Sequence, residues 1–495
     1  MFYNYAGKTL KCIVSSATQV LGTGESGEKE RVVTENCADF LVRLLPIVMM
    51  VKYGTKGSVV PRDAKETSSI ALSWTNDLIQ LSPSAGEAFL RRACAVVPVR
   101  SEFRKIALKT IMRTLTSLPE TIQDDFMRQY LPKYSKVSQS MFRLFAVEMC
   151  GEIQNVQVSM SKEEKMEDED EIDIKTQVLL VRTLLERSCD RIPSVRAAAM
   201  RVLGNVAESI VKNDNLSGPW ALALIPALRG GSSERDRTPS KKSSSNFNQS
   251  LLEILRRRLN DINSAVKNAA LRLMASVPGL LGENTEVIPT ELVRVAARLA
   301  TDKSVSTRKR ALQLVTALLL RCPSNEEWQA LWLQYVLPGI HDAETSVQNT
   351  SIEAVDRLIL APLSTSARRK ENDTNSTWTM LRKIPLNSGC QTMLCLQTAL
   401  QKAPSNRLTP RLLALLLDTA VKMEKNVNSG ISWALLEQLV RTTKLQKHFD
   451  LDTVVKCFGT TLMAIEDDDE LCSRHPSVIP STFYWYHFFI SMTFH

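Results

Sequence analysis

Aromatic side chains are scarce, at 6% of the 495 residues, and only 18 Gly and 20 Pro interrupt the chain. Strands favour β-branched and aromatic residues and their turns favour Gly and Pro, so this composition argues against a β-rich fold. Leu, Ala, Arg and Lys recur instead, which is the composition of helices. Ten Cys are scattered without a CxxC, and Cys390 and Cys395 have neither a second pair nor a His cluster nearby. That excludes a zinc site of ordinary spacing and leaves the cysteines as small core residues in a reducing compartment. Long apolar runs are also missing. Leu41–Val51 and Leu412–Leu417 fall short of the ~20 residues a bilayer requires, and no signal-peptide pattern opens the sequence. A soluble intracellular protein is expected, with no membrane partner.

Catalytic motifs are lacking as well. There is no HExxH, no GxSxG and no GxGxxG opening a βαβ unit. Gly22–Lys29 (GTGESGEK) approaches a phosphate loop, but Glu28 and Glu30 place carboxylates where phosphates would lie. No enzyme activity, cofactor, metal or small-molecule substrate is expected. The formal net charge of +9 favours acidic partners.

What is present is a repeat. Asp190, Asp261, Asp302 and Asp342 each open a segment of one pattern: DRIPSVRAAAMRVL, DINSAVKNAALRLM, DKSVSTRKRALQLV and DAETSVQNTSIEAV. Five residues on stand Val195, Val266, Thr307 and Val347, followed by Arg196, Lys267, Arg308 and Gln348. The small residues Ala199, Ala270, Ala311 and Ser351 come next in register, each followed by a larger apolar one. These offsets trace one apolar stripe at the helical period. Each Asp is expected to cap the helix that follows it. Asp261 to Asp302 spans 41 residues and Asp302 to Asp342 spans 40, within the range of HEAT and armadillo units. Degenerate copies stand at Phe103–Arg104 with Ala107–Leu108, and at Phe142–Arg143 with Ala146–Val147. Apolar runs before each Asp, such as Leu251–Leu259 and Leu331–Leu337, supply the first helix of each pair. The fold class is therefore all-α, a HEAT-repeat (armadillo-like) α-solenoid.

The organisation that follows places degenerate helical repeats at 1–89 and HEAT repeats at 90–160, 176–228 and 250–361. An acidic linker occupies 161–175, a Ser-rich basic loop 229–249 and a polar hinge 362–377. Helical repeats resume at 378–470, and an atypical aromatic tail fills 471–495. Within the basic loop, Thr238-Pro239-Ser240-Lys241 has the form favoured by proline-directed kinases and is a candidate phosphosite. Arg104, Arg143, Arg196, Lys267 and Arg308 share one repeat position. The commoner fate of such a column is a ladder of pairs between neighbouring repeats. Arg256, Arg257 and Arg258, and Arg308, Lys309 and Arg310, hold more cations than pairing needs and are the candidate contacts to DNA or an acidic partner. Trp328 and Trp332 fit a core better than a peptide platform.

The segments DKSVSTRKRALQLVTALLLRCP (302–323), WLQYVLPGIHDAETSVQNTSIEAVDRLIL (332–360) and GISWALLEQLVRTTKLQKHFDLDTVVKCF (430–458) resemble the D-type HEAT subunit of condensin II. The resemblance runs over roughly residues 90–465 and departs from the family after about Glu470. It implies a non-catalytic subunit that binds the kleisin joining two SMC ATPases, works beside a second HEAT subunit, and meets chromatin during mitotic chromosome condensation in the nucleus. Other chromosomal HEAT scaffolds (condensin I or cohesin-associated subunits) and importin- or adaptor-like transport scaffolds are the alternatives.

Overall fold

The computed structural model describes residues 27–49, 62–160, 170–229, 250–282, 288–369, 375–385, 391–402, 409–421 and 429–440. The basic loop at 230–249 with Thr238, the segment 161–169, Cys390 and everything after residue 440 lie outside them. Every regular element among the described residues is helical, and the chain divides into two compact units, 1–280 and 281–495.

In the first unit, α1 (Gly27–Val48), α2 (Arg62–Leu81) and α3 (Pro83–Ala95) pack on one another, and α3 leads into α4 (Ser101–Thr116). Gly27–Lys29, the end of the stretch resembling a phosphate loop, form the first turn of α1. Helix α5 runs from Glu120–Asp125 through a π turn, Phe126–Tyr130, to Leu131–Tyr134, and pairs with α6 (Ser140–Met160). Helix α7 (Asp170–Ser188) pairs with α8 (Pro193–Lys212). Helices α9 (Pro219–Arg229) and α10 (Leu251–Leu259) both pack against α7, so together they take the first-helix place of the next repeat. The second helix of that repeat is α11 (Ser264–Leu281). The 71 residues from Asp190 to Asp261 thus hold one repeat whose first-helix place is taken by two described helices, α9 and α10.

The stripe read from the sequence is the core. Val195, Val266, Ala199, Ala270, Leu203, Met274 and Val206 are fully buried. Small side chains bring the second helices together: the backbone of Leu273 lies 3.6 Å from where a Cβ on Gly204 would stand. Cys37, Cys94, Cys150 and Cys395 are buried in the core, as expected.

In the second unit, α12 (Thr290–Arg298) continues into a 3-10 turn, Leu299–Thr301, and pairs with α13 (Val305–Arg321). Helix α14 runs from Glu326–Leu331 through a π turn, Trp332–Val336, to a 3-10 segment, Leu337–His341. It is paired with α15, which spans Thr345–Val355, a π turn at Asp356–Leu360 and a final stretch, Ala361–Arg369. Helices α16 (Asn375–Arg382), α17 (Gln391–Lys402), α18 (Pro410–Val421) and α19 (Ser429–Val440) follow. Each π turn ends two residues before a proline, at Pro132, Pro338 and Pro362. Proline lacks an N–H and its ring crowds the carbonyl four residues back, so the widened turn admits it without ending the helix.

Three expectations are corrected. The acidic linker is expected at 161–175, yet the backbone from Asp170 onward is already helical, the start of α7. The polar hinge was placed at 362–377, yet Ala361–Arg369 and Asn375–Arg382 are helical. Its polarity is that of small hydroxyls: Ser364 and Ser366 are buried, and the Thr365 Oγ1 donates back to the Ala361 carbonyl at 2.8 Å. Finally, the repeat aspartates are not helix N-caps. They stand three residues before the first helical residue, too far back to reach its N–H groups, and the capping positions Ile192, Ser304 and Glu344 make no side-chain cap bond.

Candidate functional site

Each repeat aspartate instead closes its own turn. Asp190, Asp261, Asp302 and Asp342 accept hydrogen bonds from the backbone N–H two residues on, at Ile192, Asn263, Ser304 and Glu344, over 2.9–3.0 Å. At Asp190, Asp261 and Asp342 this leaves carboxylate oxygens facing the preceding repeat, where the arginine column arrives. Arg143 donates through Nε and Nη2 to both oxygens of Asp190, at 2.7 and 3.0 Å. Arg196 does the same to Asp261 at 2.8 and 2.9 Å, and Arg308 to Asp342 at 2.8 Å twice. Arg104 makes the equivalent fork onto Glu148. Such parallel charged bonds fix orientation as well as distance.

The same arginines also bind their own turns. Arg104 Nη1 donates to the Val99 carbonyl, Arg143 Nη1 to those of Val137 and Ser138, and Arg196 Nη1 to those of Asp190 and Arg191. In the second unit Arg308 Nη1 reaches the Asp302 and Lys303 carbonyls. One guanidinium therefore pins a turn and bolts it to the next repeat. Gln348 keeps the first function, donating to the Asp342 carbonyl at 2.7 Å, while its Oε1 accepts from Lys402.

The electrostatics follow from this geometry. Burial alone would raise the carboxyls of Asp190, Asp261 and Asp342. The hydrogen bonds from Arg143, Arg196 and Arg308 and from the turn N–H groups outweigh it, and hold all three below the usual carboxylate range. In the first unit a second guanidinium joins each of the two aspartate rungs: Arg187 Nη1 donates to Asp190 at 3.2 Å and Arg258 Nη1 to Asp261 at 3.1 Å. Sequence reasoning missed this pair of clamps, although both arginines stand three residues before their aspartate.

The basic candidates are consequently not alike. Arg258 and Arg308 are mostly buried in rungs. Arg256 and Arg257 remain exposed at the C-terminal end of α10, both bonded to Glu253 at 3.1–3.2 Å. Arg310 is exposed and Lys309 half-buried. Trp328 and Trp332 lie in the core, Trp332 donating from Nε1 to Thr316 Oγ1 at 3.1 Å. Burial pushes the thiols of Cys94 and Cys150 up to about 12, which removes them as nucleophiles at neutral pH. Among the described residues no group of His, Cys, Asp and Glu is arranged to hold a metal, and no helix is long and apolar enough to cross a membrane.

Stacked helix pairs joined by a turn-to-turn arginine ladder define the class: a HEAT-type α-solenoid. No protein-family model matches the chain. It is similar to the condensin-2 complex subunit D3-L of Xenopus laevis, 24% identical over 390 residues, 70% of this chain and 26% of that protein. It is likewise similar to the condensin-2 complex subunit D3 of Mus musculus, 22% identical over 408 residues, 73% of this chain and 25% of that protein. The resemblance to D-type subunits of condensin II read from the residues is borne out by both relatives. The chain spans about a quarter of the length of these curated relatives. Among solved structures it overlaps Kap121p (12% identity, 97% of this chain and 47% of that one, TM-score 0.48). It also overlaps the Chaetomium thermophilum cohesin loader SCC2 (13% identity, 96% and 34%, TM-score 0.37). The fold assignment rests on the helix pairing itself.

Proposed function

We propose that the chain works as a non-catalytic regulatory part of a condensin II complex. In this reading it binds the kleisin subunit that joins the two SMC ATPases, sits beside a second HEAT subunit, and supports mitotic chromosome condensation in the nucleus. The observation that carries the reading is the likeness to two D3 subunits over about seven tenths of the chain. The repeated core, which stacks helix pairs, supports a scaffold. Of the basic candidates, the exposed Arg256, Arg257 and Arg310, with Lys309, are proposed to meet DNA phosphates. Arg258 and Arg308 serve the ladder. Thr238 is proposed as a phosphosite that would lower the positive charge of its loop.

Affinity capture of the tagged chain from mitotic cells, with mass spectrometry, tests the assignment. Recovery of SMC and kleisin subunits is the expected result; recovery of Ran or coat proteins in their place overturns it. Replacing Arg256 and Arg257 by Glu is expected to weaken duplex binding and flatten its dependence on salt, because fewer counterions are then released. Unchanged binding removes that pair from the surface. Absence of phosphate on Thr238 in mitotic material ends the switch.

A further inference from the structure

The turns that the ladder pins carry aliphatic side chains in the open. Val99 is 66% exposed, Val137 36%, and Ile262 as exposed as in a free peptide. All three stand at the turn between the two helices of a repeat. Direct bonds place these turns side by side. The turn at Val137 and Ser138 is tied by Arg143 to Asp190, and the turn at Asp190 and Arg191 is tied by Arg196 to Asp261, next to Ile262. The turn before α4 joins the row through Arg104, which holds the Val99 carbonyl and forks onto Glu148 of α6, the helix that follows Val137.

Two features mark this edge as more than incidental exposure. First, the backbone beneath the exposed side chains is already fixed, since Arg104 holds the Val99 carbonyl, Arg143 that of Val137, and Asp261 accepts from the Asn263 N–H across Ile262. A partner docking there meets side chains whose backbone ordering cost has been met by the fold. Second, the surrounding charge is of one predominant sign. Arg191 is exposed on the turn between Val137 and Ile262, and Arg256 and Arg257, two cations sharing the single carboxylate of Glu253, project from the helix end that leads into Ile262. Aliphatic side chains set among cations complement a chain that alternates apolar and acidic residues. Nucleic acid would use the cations and leave the aliphatic side chains idle.

We propose that the turn edge of the first unit is a docking surface for an extended acidic segment of a partner protein, whose aliphatic side chains cover Val99, Val137 and Ile262. The proposal rests on the scaffold reading alone and holds for any complex the chain joins. Panning a random peptide phage library on the full chain tests it. The selected peptide, fluorescently labelled, is then titrated by anisotropy against wild type and the Val99→Ser/Ile262→Ser variant, with a duplex oligonucleotide titrated in parallel. Serine alters no charge, and both sites are exposed, so circular dichroism should match wild type.

The expected outcome is enrichment of peptides holding Asp or Glu beside Leu, Ile or Val. Their affinity should fall about tenfold or more in the variant, the scale of two lost aliphatic contacts, while duplex affinity stays unchanged. No enrichment, enrichment without acidic residues, or equal peptide affinity for the variant overturns the proposal. Parallel loss of duplex binding assigns the edge to nucleic acid and overturns it as well. Kleisin capture by the same serine variant separates the two readings: it can persist, sustaining the condensin assignment, while this surface fails.

Discussion

Arg196 and Asp261 stand 65 positions apart in the sequence and meet through two parallel hydrogen bonds of 2.8 and 2.9 Å. Both side chains are nearly buried, at 13% and 5% exposure. A guanidinium in such a place depends on its partner, because water cannot replace the carboxylate. Asp261→Ala is therefore expected to destabilise the first unit by about 3 kcal/mol, the cost of stranding one member of a buried pair. Hydrogen exchange should quicken first in the turns around Asp190 and Asp261. The Arg196→Met/Asp261→Leu double variant should recover most of the loss; if it is as unstable as the sum of the single changes, the rung is not a coupled pair.

The depressed carboxyls of Asp190, Asp261 and Asp342 set a pH window. A group whose folded pKa lies below its unfolded value stabilises fully above the unfolded value, about 3.9 for Asp, and loses that contribution as pH falls through the folded value. Stability should thus change little with pH between about 5 and 8 on account of these groups, then drop below about 4. Urea midpoints at pH 6, 4 and 3 measure it. The Asp261→Asn variant should show a shallower acid-side loss than wild type, and an equal slope refutes the ladder as its source.

Much of this is legible in the sequence. The repeat register, the buried stripe and the pairing of the arginine column with neighbouring turns all follow from spacing, because stacked helices enforce one position per repeat. Partner identities were less accessible. Glu148, the partner of Arg104, stands on α6 rather than at a turn. Arg258 sits in a run of three cations that looks uniform in sequence and is divided by helix geometry into two exposed side chains and one mostly buried. The misread hinge at Ala361–Arg369 shows the limit of polarity as a guide: Ser364 and Ser366 are buried beside Leu363, and the exposed Thr365 bonds back to the helix carbonyl of Ala361.

Trp332 offers a local probe of the second unit. It is fully buried and donates to Thr316, whose own hydroxyl donates to the Leu312 carbonyl at 2.8 Å. Trp332→Phe keeps most of the apolar volume, leaves Thr316 bonded, and should cost about 1–2 kcal/mol. Trp332→Ala empties a large site and should cost about 3–5 kcal/mol. Chemical denaturation followed by circular dichroism measures both; near-neutrality of the alanine variant contradicts a core role and revives a surface one.

Two glycines on neighbouring helices of the first unit should respond in opposite directions to the same change. A Cβ on Gly204 would find nothing closer than the Leu273 backbone at 3.6 Å, ordinary contact. Gly204→Ala should then stabilise by about 0.5–1 kcal/mol, the helix propensity gained when the freer glycine is replaced. A Cβ on Gly279 would lie 2.6 and 2.7 Å from the two methyl carbons of Val211. Those methyls sit one bond from their own β-carbon and have little room to retreat, so Gly279→Ala should cost about 1–3 kcal/mol through overpacking. Thermal midpoints of the two variants, taken side by side, should move up and down respectively. Equal shifts would mean that helix propensity, rather than the spacing between second helices, sets the tolerance of this stack.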